Sequence, residues 1–129
     1  MTRRAVLTLL AAIVAAPRVE GHHSFAAEFD AAHPREFAGA VVVMQWVNPH
    51  AVLTLDVREA GGRVARWDLE LPPPAALRRR GLTPRDLRPG EPVVVKGYPA
   101  KDGRQWASTQ WVELPGGRRV VTGTPGASN

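Results

Sequence analysis

Hydrophobic and polar positions alternate most regularly in two neighbouring segments, residues 51–58 and 63–71. An alternation with a period of two is typical of a strand that has one buried face and one solvated face. The Glu-Ala-Gly-Gly stretch between the two segments favours a hairpin turn. The pattern therefore predicts that the segments pair antiparallel, with Leu53, Leu55 and Trp67 inside the protein.

Three further runs have the β-branched and aromatic composition of strands, and they cover residues 37–47, 92–98 and 105–114. Gly39 lies inside the first of them and indicates a β-bulge in a bent strand. In the last run Trp106 and Trp111 fall on opposite parities. A second bulge near Thr109 would place both indoles on one face.

A short helix separates the third and fourth strand runs. Three consecutive prolines, Pro72 to Pro74, end the pairing of the third strand because proline cannot donate to a ladder. Residues 75–80 then favour a helix that ends at Gly81. Three strands, a helix and a two-stranded hairpin are the element order of a five-stranded OB-like barrel in the all-β class. A small β-sandwich is the main alternative.

The beginning of the chain has the features of a secretory signal peptide. Arg3 and Arg4 supply a positive start, and residues 5–16 form an uncharged apolar run. Twelve residues suit a signal peptide and are too few for a stable membrane anchor. We expect a signal peptide over residues 1–21, export to the periplasm, cleavage after Gly21, and no membrane anchor thereafter.

The sequence is compatible with two further cleavage sites and with a second export route. Cleavage after Ala16 would leave an unfavourable proline at the new terminus, and cleavage after Glu20 is a further alternative. The arginine pair is compatible with twin-arginine export as well as with the general route. The predicted organisation of the mature chain is a barrel domain over residues 22–115 followed by a flexible tail over residues 116–129.

Composition narrows the range of functions. The chain has 129 residues, 12 glycines, 12 prolines and no cysteine, which excludes a thiolate metal site and a cysteine nucleophile. The formal net charge is +5, and removing residues 1–21 takes away three arginines and one glutamate, leaving +3. This modest charge, together with export, argues against nucleic acid as the partner.

Several motifs resemble those of one known family. The start His22-His-Ser-Phe is followed by Trp46-Val-Asn-Pro-His-Ala, by Pro89-Gly-Glu-Pro-Val and by Gly97-Tyr-Pro-Ala-Lys-Asp-Gly. Over roughly residues 22–115 the chain resembles the exported proteobacterial family called domain of unknown function 6152. The resemblance implies a small periplasmic barrel, and it brings no catalytic residues that could be transferred to this chain.

All four histidines, His22, His23, His33 and His50, lie in the first fifty residues. Cleavage after Gly21 would let His22 offer its amino group and its imidazole to one metal ion. A second imidazole, from His23 or His50, would complete a nitrogen-rich planar set that suits Cu(II). Cleavage after Glu20 would create a Gly-His-His start that also binds Cu(II). The alternative is that His22 and His23 are only the solvated beginning of a flexible end.

The loop after the first strand is the second candidate site. Its residues Trp46, Asn48, Pro49 and His50 lie where OB barrels carry a ligand-binding loop. His50 can donate, accept or ligate. The alternative is an ordinary turn in which Asn-Pro starts the reversal of the chain. We interpret Arg78, Arg79 and Arg80 as a solvated helix end that interacts favourably with the helix dipole.

No arrangement in the sequence indicates catalysis. The serines lack a recognisable base and acid nearby, and neither a phosphate loop nor a paired-carboxylate motif is present. The sequence therefore predicts a non-catalytic binding module without catalytic residues, with copper as its candidate cofactor. Its partner would be a small ligand, a metal ion or an exported protein. The alternative is a structural accessory subunit that docks on an exported enzyme or an envelope complex.

Overall fold

The computed structural model describes residues 25–123 and shows an all-β protein with short helical segments. The strands are β1 (Arg35–Gln45), β2 (Val52–Arg58), β3 (Val64–Glu70), β4 (Pro92–Pro99), β5 (Trp106–Glu113) and β6 (Arg119–Val121). The helices are α1 (Phe25–Glu28) and α2 (Pro74–Arg79), with 3-10 turns at Ala60–Gly62 and Pro84–Asp86. The predicted short helix between the third and fourth strands is confirmed as α2.

The first five strands close into a barrel. The sheet order is β3-β2-β1-β4-β5-β6, and a parallel pairing between β3 and β5 joins the two sides. The predicted small five-stranded barrel is therefore confirmed. The β2–β3 hairpin pairs antiparallel as expected, with Leu55 opposite Trp67 and Leu53 opposite Leu69.

Strand β1 is bulged, but the bulge does not lie at Gly39 as predicted. The register against β2 shifts between Val41 and Val43, so Val42 is the extra residue. Gly39 pairs regularly and serves a different purpose, because a Cβ atom at this position would overlap the carbonyl oxygen of Asp56. The glycine allows two backbones to approach closely, which is the other common reason for a glycine inside a strand.

Strand β5 carries the second bulge, close to its predicted position. The register against β4 passes from Lys96 opposite Trp111 to Gly97 opposite Thr109, which leaves Gln110 as the extra residue. The inserted residue changes the parity of the strand, and both Trp106 and Trp111 are only partly buried while Ala107 and Val112 are fully buried. The two indoles thus share the outer face.

The core fills the barrel and extends under α2. Leu53, Leu55 and Trp67 are buried, as the alternating pattern predicted. The ring of Trp67 packs on Phe37 with 4.8 Å between ring centroids. Leu77 of α2 is fully buried and covers one end of the barrel. Phe37, Trp67 and the leucines of the described residues therefore belong to one continuous core.

Residues 116–123 do not form the flexible tail that the sequence predicted. They turn back through Gly116 and Gly117, and β6 pairs antiparallel with the second half of β5. Val120 and Thr122 are buried, and the Thr122 hydroxyl lies 2.7 Å from that of Thr109. The sequence did not reveal this strand because a segment of three residues is too short to show an alternating pattern. Residues 124–129 lie outside the described part.

Candidate functional site

His50 lies in the loop between β1 and β2 and faces the end of β3. Its Nδ1 atom is 3.6 Å from Oε1 of Glu70, and half of its side chain (50%) is exposed. The Glu70 side chain is less accessible, at 23%. We call the surface formed by Glu28, His50 and Glu70 the His50 face. The imidazole is therefore next to a carboxylate but still open to a ligand.

The N-terminal helix α1 is fixed beside the loop between β4 and β5. The backbone N–H of Lys101 donates to the carbonyl of Glu28 at 2.9 Å, and the N–H of Asp30 donates to the carbonyl of Pro99 at 2.8 Å. Arg104 adds an ion pair to the Glu28 carboxylate at 3.3 Å. These contacts attach the segment that begins at Phe25 to the barrel wall.

Aromatic contacts hold the very start of the described chain. The ring of Phe25 meets the ring of Tyr98 edge-on, with 5.3 Å between centroids, and lies 5.3 Å from the ring of Phe29. Phe29 itself is buried and forms a β-bridge with Ala100. Phe25 and Phe29 are thus anchored at this end of β4.

The carboxyl group of Glu70 is the electrostatic centre of the His50 face. Burial raises the pKa of Glu70 above its usual range, the imidazole of His50 acts in the opposite direction, and the charge of Glu28 raises the pKa further. Both Glu28 of α1 and His50 of the loop therefore act on the same carboxyl group. The β4–β5 loop contacts α1 and leads into β5, which pairs with β3 so that Glu70 lies opposite Ser108. Helix α1 therefore lies on the side of the barrel that carries Glu70.

The outer surface of the β2–β3 hairpin continues from the His50 face as a row of polar pairs. The Thr54 hydroxyl donates to Oδ1 of Asp68 at 2.6 Å, and Arg66 pairs with Asp56 at 2.9 Å. The ion pair between Arg66 and Asp56 is exposed, so its contribution to stability is small. Hydrogen bonding and the charge of Arg66 lower the pKa of Asp56.

The loop that the sequence predicts to bind a ligand connects β1 and β2, and its residues have different surroundings. Asn48, Pro49 and His50 are exposed. Trp46 is partly buried against the core, and the guanidinium of Arg78 lies 5.9 Å from the centre of its ring. Of the three predicted metal ligands only His50 is described, because His22 and His23 lie outside residues 25–123. The same holds for the predicted signal peptide and its cleavage site.

Two kinds of feature are absent from the described residues. Between residues 25 and 123, no three histidine or carboxylate side chains come close enough together to hold a metal ion. No helix in this part of the chain has the length and apolar character needed to cross a membrane.

Sequence reasoning missed two residues of the His50 face. Glu70 lies within the alternating segment 63–71 but has no feature that marks it as a site residue, and nothing in the sequence singles out Glu28. The period-two pattern of β3 shows that Glu70 points outward, but it does not reveal that a loop twenty residues earlier brings an imidazole to it. The position of Glu28 depends on the docking of α1, which is a tertiary contact.

Comparison with known proteins gives one match. A family model described as a family of unknown function (DUF6152) matches residues 9–109. Neither the curated proteins nor the solved structures give a match. The matched range covers most of the chain, including β1 to β4 and the first part of β5. The chain belongs to the family of unknown function DUF6152.

Proposed function

We propose that this protein is a non-catalytic binding module of the periplasm that captures Cu(II) with its processed N-terminus. The ligands are the amino group and imidazole of His22, completed by His23 or His50. The observation that carries the proposal is the anchoring of α1 next to the His50 face. The described chain begins at Phe25 in this anchored helix, three residues after His22 in the sequence.

The length of the connection supports this arrangement. His23 precedes Phe25 by two residues, which an extended chain spans in about 7 Å. Phe25 is anchored on Tyr98, and Glu28, one turn further on, acts on the carboxyl group that faces His50. We infer that a connection of this length allows the terminal histidines to reach the side of the barrel that carries His50.

The chemistry of the donors supports copper over other metals. An amine and two imidazoles are nitrogen donors, and a tetragonal nitrogen set is the geometry that Cu(II) prefers. His50 keeps half of its surface exposed, and Glu70 lies beside Nδ1, where a carboxylate can orient a ligating imidazole. The chain contains no thiol to compete for the metal.

The first experiment determines the mass and metal content of the protein purified from the periplasm after export from its full-length gene. The proposal expects a chain that starts at His22 and carries about one copper per molecule after incubation with Cu(II) and desalting. A start at Pro17 would refute the predicted processing and remove the amine ligand. A chain that starts at His22 but retains no copper would refute the metal site alone.

An open groove favours a second function, that of a structural accessory subunit. The groove has a volume of about 730 Å³ and runs over the outer face of β1, where Ala38, Gly39 and Ala40 form its floor. Arg58 and Glu113 lie on opposite sides of it. An exported enzyme or envelope complex would dock there without using the His50 face. Replacing Ala38 with arginine fills the groove, and this change should abolish docking while leaving Cu(II) binding unaltered.

A further inference from the structure

The arginines of this protein are concentrated at one end of the barrel. Helix α2, the 3-10 turn that follows it and the turn before β6 form this surface, which we call the arginine end. Its arginines are Arg78, Arg79, Arg80, Arg85, Arg88 and Arg118. Only two carboxylates, Asp86 and Glu91, accompany these six arginines. The remainder of residues 25–123 carries eight basic and nine acidic side chains. All the excess positive charge of this part of the chain therefore lies at the arginine end.

Two of these arginines hold the surface together. Arg118 donates to the carbonyl of Gly81 at 3.1 Å and pairs with Asp86 at 3.0 Å. Arg80 is partly buried and donates to the carbonyls of Val121 and Gly123, both at 3.3 Å. Arg80 is thus not the solvated helix end that the sequence predicted, because it fastens α2 to the last strand. The backbone that carries the other arginines is fixed by these bonds.

The remaining charges are available to a partner. Arg79, Arg85 and Arg88 are exposed, and none of them forms an ion pair with another described residue. Their guanidinium groups therefore face the solvent without a carboxylate partner among the described residues. Arg85 and Arg118 also line a small open pocket of about 200 Å³, which is too shallow and too polar to enclose a ligand. The arrangement suits an extended anionic surface better than a single small anion.

An aromatic and an aliphatic side chain border the same end. Arg78 lies over the ring of Trp46, and the next residue, Val47, exposes about half of its surface (49%). Tryptophan is enriched where proteins meet the headgroup layer of a bilayer, because its ring is amphipathic. Basic residues beside apolar ones are also the composition with which proteins lie on anionic membranes.

We propose that the arginine end docks this protein on an anionic phospholipid surface. The attraction comes from the unpaired guanidinium groups of Arg79, Arg85 and Arg88, and Trp46 with Val47 contacts the headgroup layer. Nucleic acid is a weaker candidate, because single strands require a series of aromatic platforms and Trp46 is the aromatic residue that we find at this end. The inference uses neither the His50 face nor copper.

Vesicle co-sedimentation tests the proposal with the protein starting at His22. One set of vesicles contains phosphatidylglycerol and phosphatidylcholine, and the other contains phosphatidylcholine alone. Binding to each set is measured at about 50 mM and at about 500 mM salt. The test variant is Arg79→Glu/Arg88→Glu. The control variant is Arg58→Glu/Arg63→Glu, which changes the net charge equally at the hairpin that precedes β3. This hairpin lies about 20 Å from α2, the length of a seven-residue strand.

We expect binding to the anionic vesicles at low salt, no binding to neutral vesicles, and release at high salt. The test variant should bind about 30-fold more weakly or worse, since two basic contacts are lost, while the control retains most of its binding. Equal losses in both variants would overturn the proposal, because net charge alone would then explain the attraction. Binding to heparin or single-stranded DNA without binding to the vesicles would also overturn it. Circular dichroism verifies that both variants are folded.

Discussion

The indole N–H of Trp67 donates a hydrogen bond to Oε1 of Glu59 at 2.9 Å, and the other carboxylate oxygen accepts one from Arg35 at the same distance. The Arg35 guanidinium also lies over the rings of Phe37 and Trp67, at 4.5 and 4.9 Å from their centroids. The partly buried carboxylate of Glu59 therefore accepts a hydrogen bond from the indole of Trp67, the largest core residue. It also pairs with the Arg35 guanidinium that lies over the same indole. This connects the hairpin turn to the start of β1.

Replacing Glu59 with glutamine should destabilise the protein in a pH-dependent way. Burial alone raises the pKa of Glu59, but the bonds from Trp67 and Arg35 outweigh it, so the pKa lies below its usual 4.5. The stabilisation by a carboxylate with a lowered pKa is present above about pH 5 and is lost as the pH falls through the lowered value. Glu59→Gln should cost about 1 kcal/mol at pH 7 and clearly less at pH 3. Urea unfolding at both pH values measures the difference, and an equal cost at both would contradict this assignment.

Truncating Trp67 to alanine should cost roughly 3–5 kcal/mol in the free energy of unfolding. The residue is 8% exposed and contacts Phe37 in the centre of the barrel. A loss of this size is a large part of the stability of a small domain without disulfides. Thermal unfolding monitored by circular dichroism is the measurement. An unchanged melting temperature would show that Trp67 is not part of the core.

Gly39→Ala tests the close approach of β1 and β2. A methyl group at this position meets the carbonyl of Asp56, so the strands must separate, and we expect a cost of about 1–3 kcal/mol. Gly123→Ala is the matched control, because its added Cβ would make only ordinary contact with the Gln110 backbone, 3.6 Å from its oxygen. Chemical denaturation measures the free energy of unfolding of both variants. Similar stabilities for the two variants would mean that Gly39 is not required by this contact.

Deleting residues 116–129 tests whether β6 belongs to the barrel. The deletion removes the buried side chains of Val120 and Thr122 and the acceptors of Arg80, so we expect a loss of at least about 2 kcal/mol. Deleting residues 124–129 leaves all these contacts in place and serves as the control. The melting temperatures of both proteins are compared with that of the intact chain. If the longer deletion were as stable as the shorter one, β6 would be dispensable.

The sequence predicted the parts of the fold that are encoded locally. The β2–β3 hairpin follows from its period-two pattern and its Gly-Gly turn, and the bulge in β5 follows from two tryptophans of opposite parity. Gly39 was misassigned because a glycine in a strand serves equally for a bulge or for a close approach of two backbones. Only the position of Asp56 distinguishes the two.

The parts that the sequence did not predict depend on contacts with other elements of the fold. Strand β6 is too short to show a pattern, and Val120 is buried only because β5 lies beside it. The His50 face brings together Glu28, His50 and Glu70 from three separate elements. The sequence singled out His50 by its residue type and its loop, which are local features, but it contained no signal for the two glutamates.

Calorimetric titration of Cu(II) into the protein that starts at His22 tests the central claim most directly. We expect one site with a Kd tighter than about micromolar. Binding should weaken as the pH falls below about 6.5, the ordinary pKa of an imidazole, because the ligands must be unprotonated. Acetylation of the terminal amine or His22→Ala should abolish tight binding. His33→Ala should preserve it, because His33 is exposed and pairs with Asp30. Binding weaker than micromolar by the protein with the correct terminus, or equal binding by the His22→Ala variant, would contradict the account.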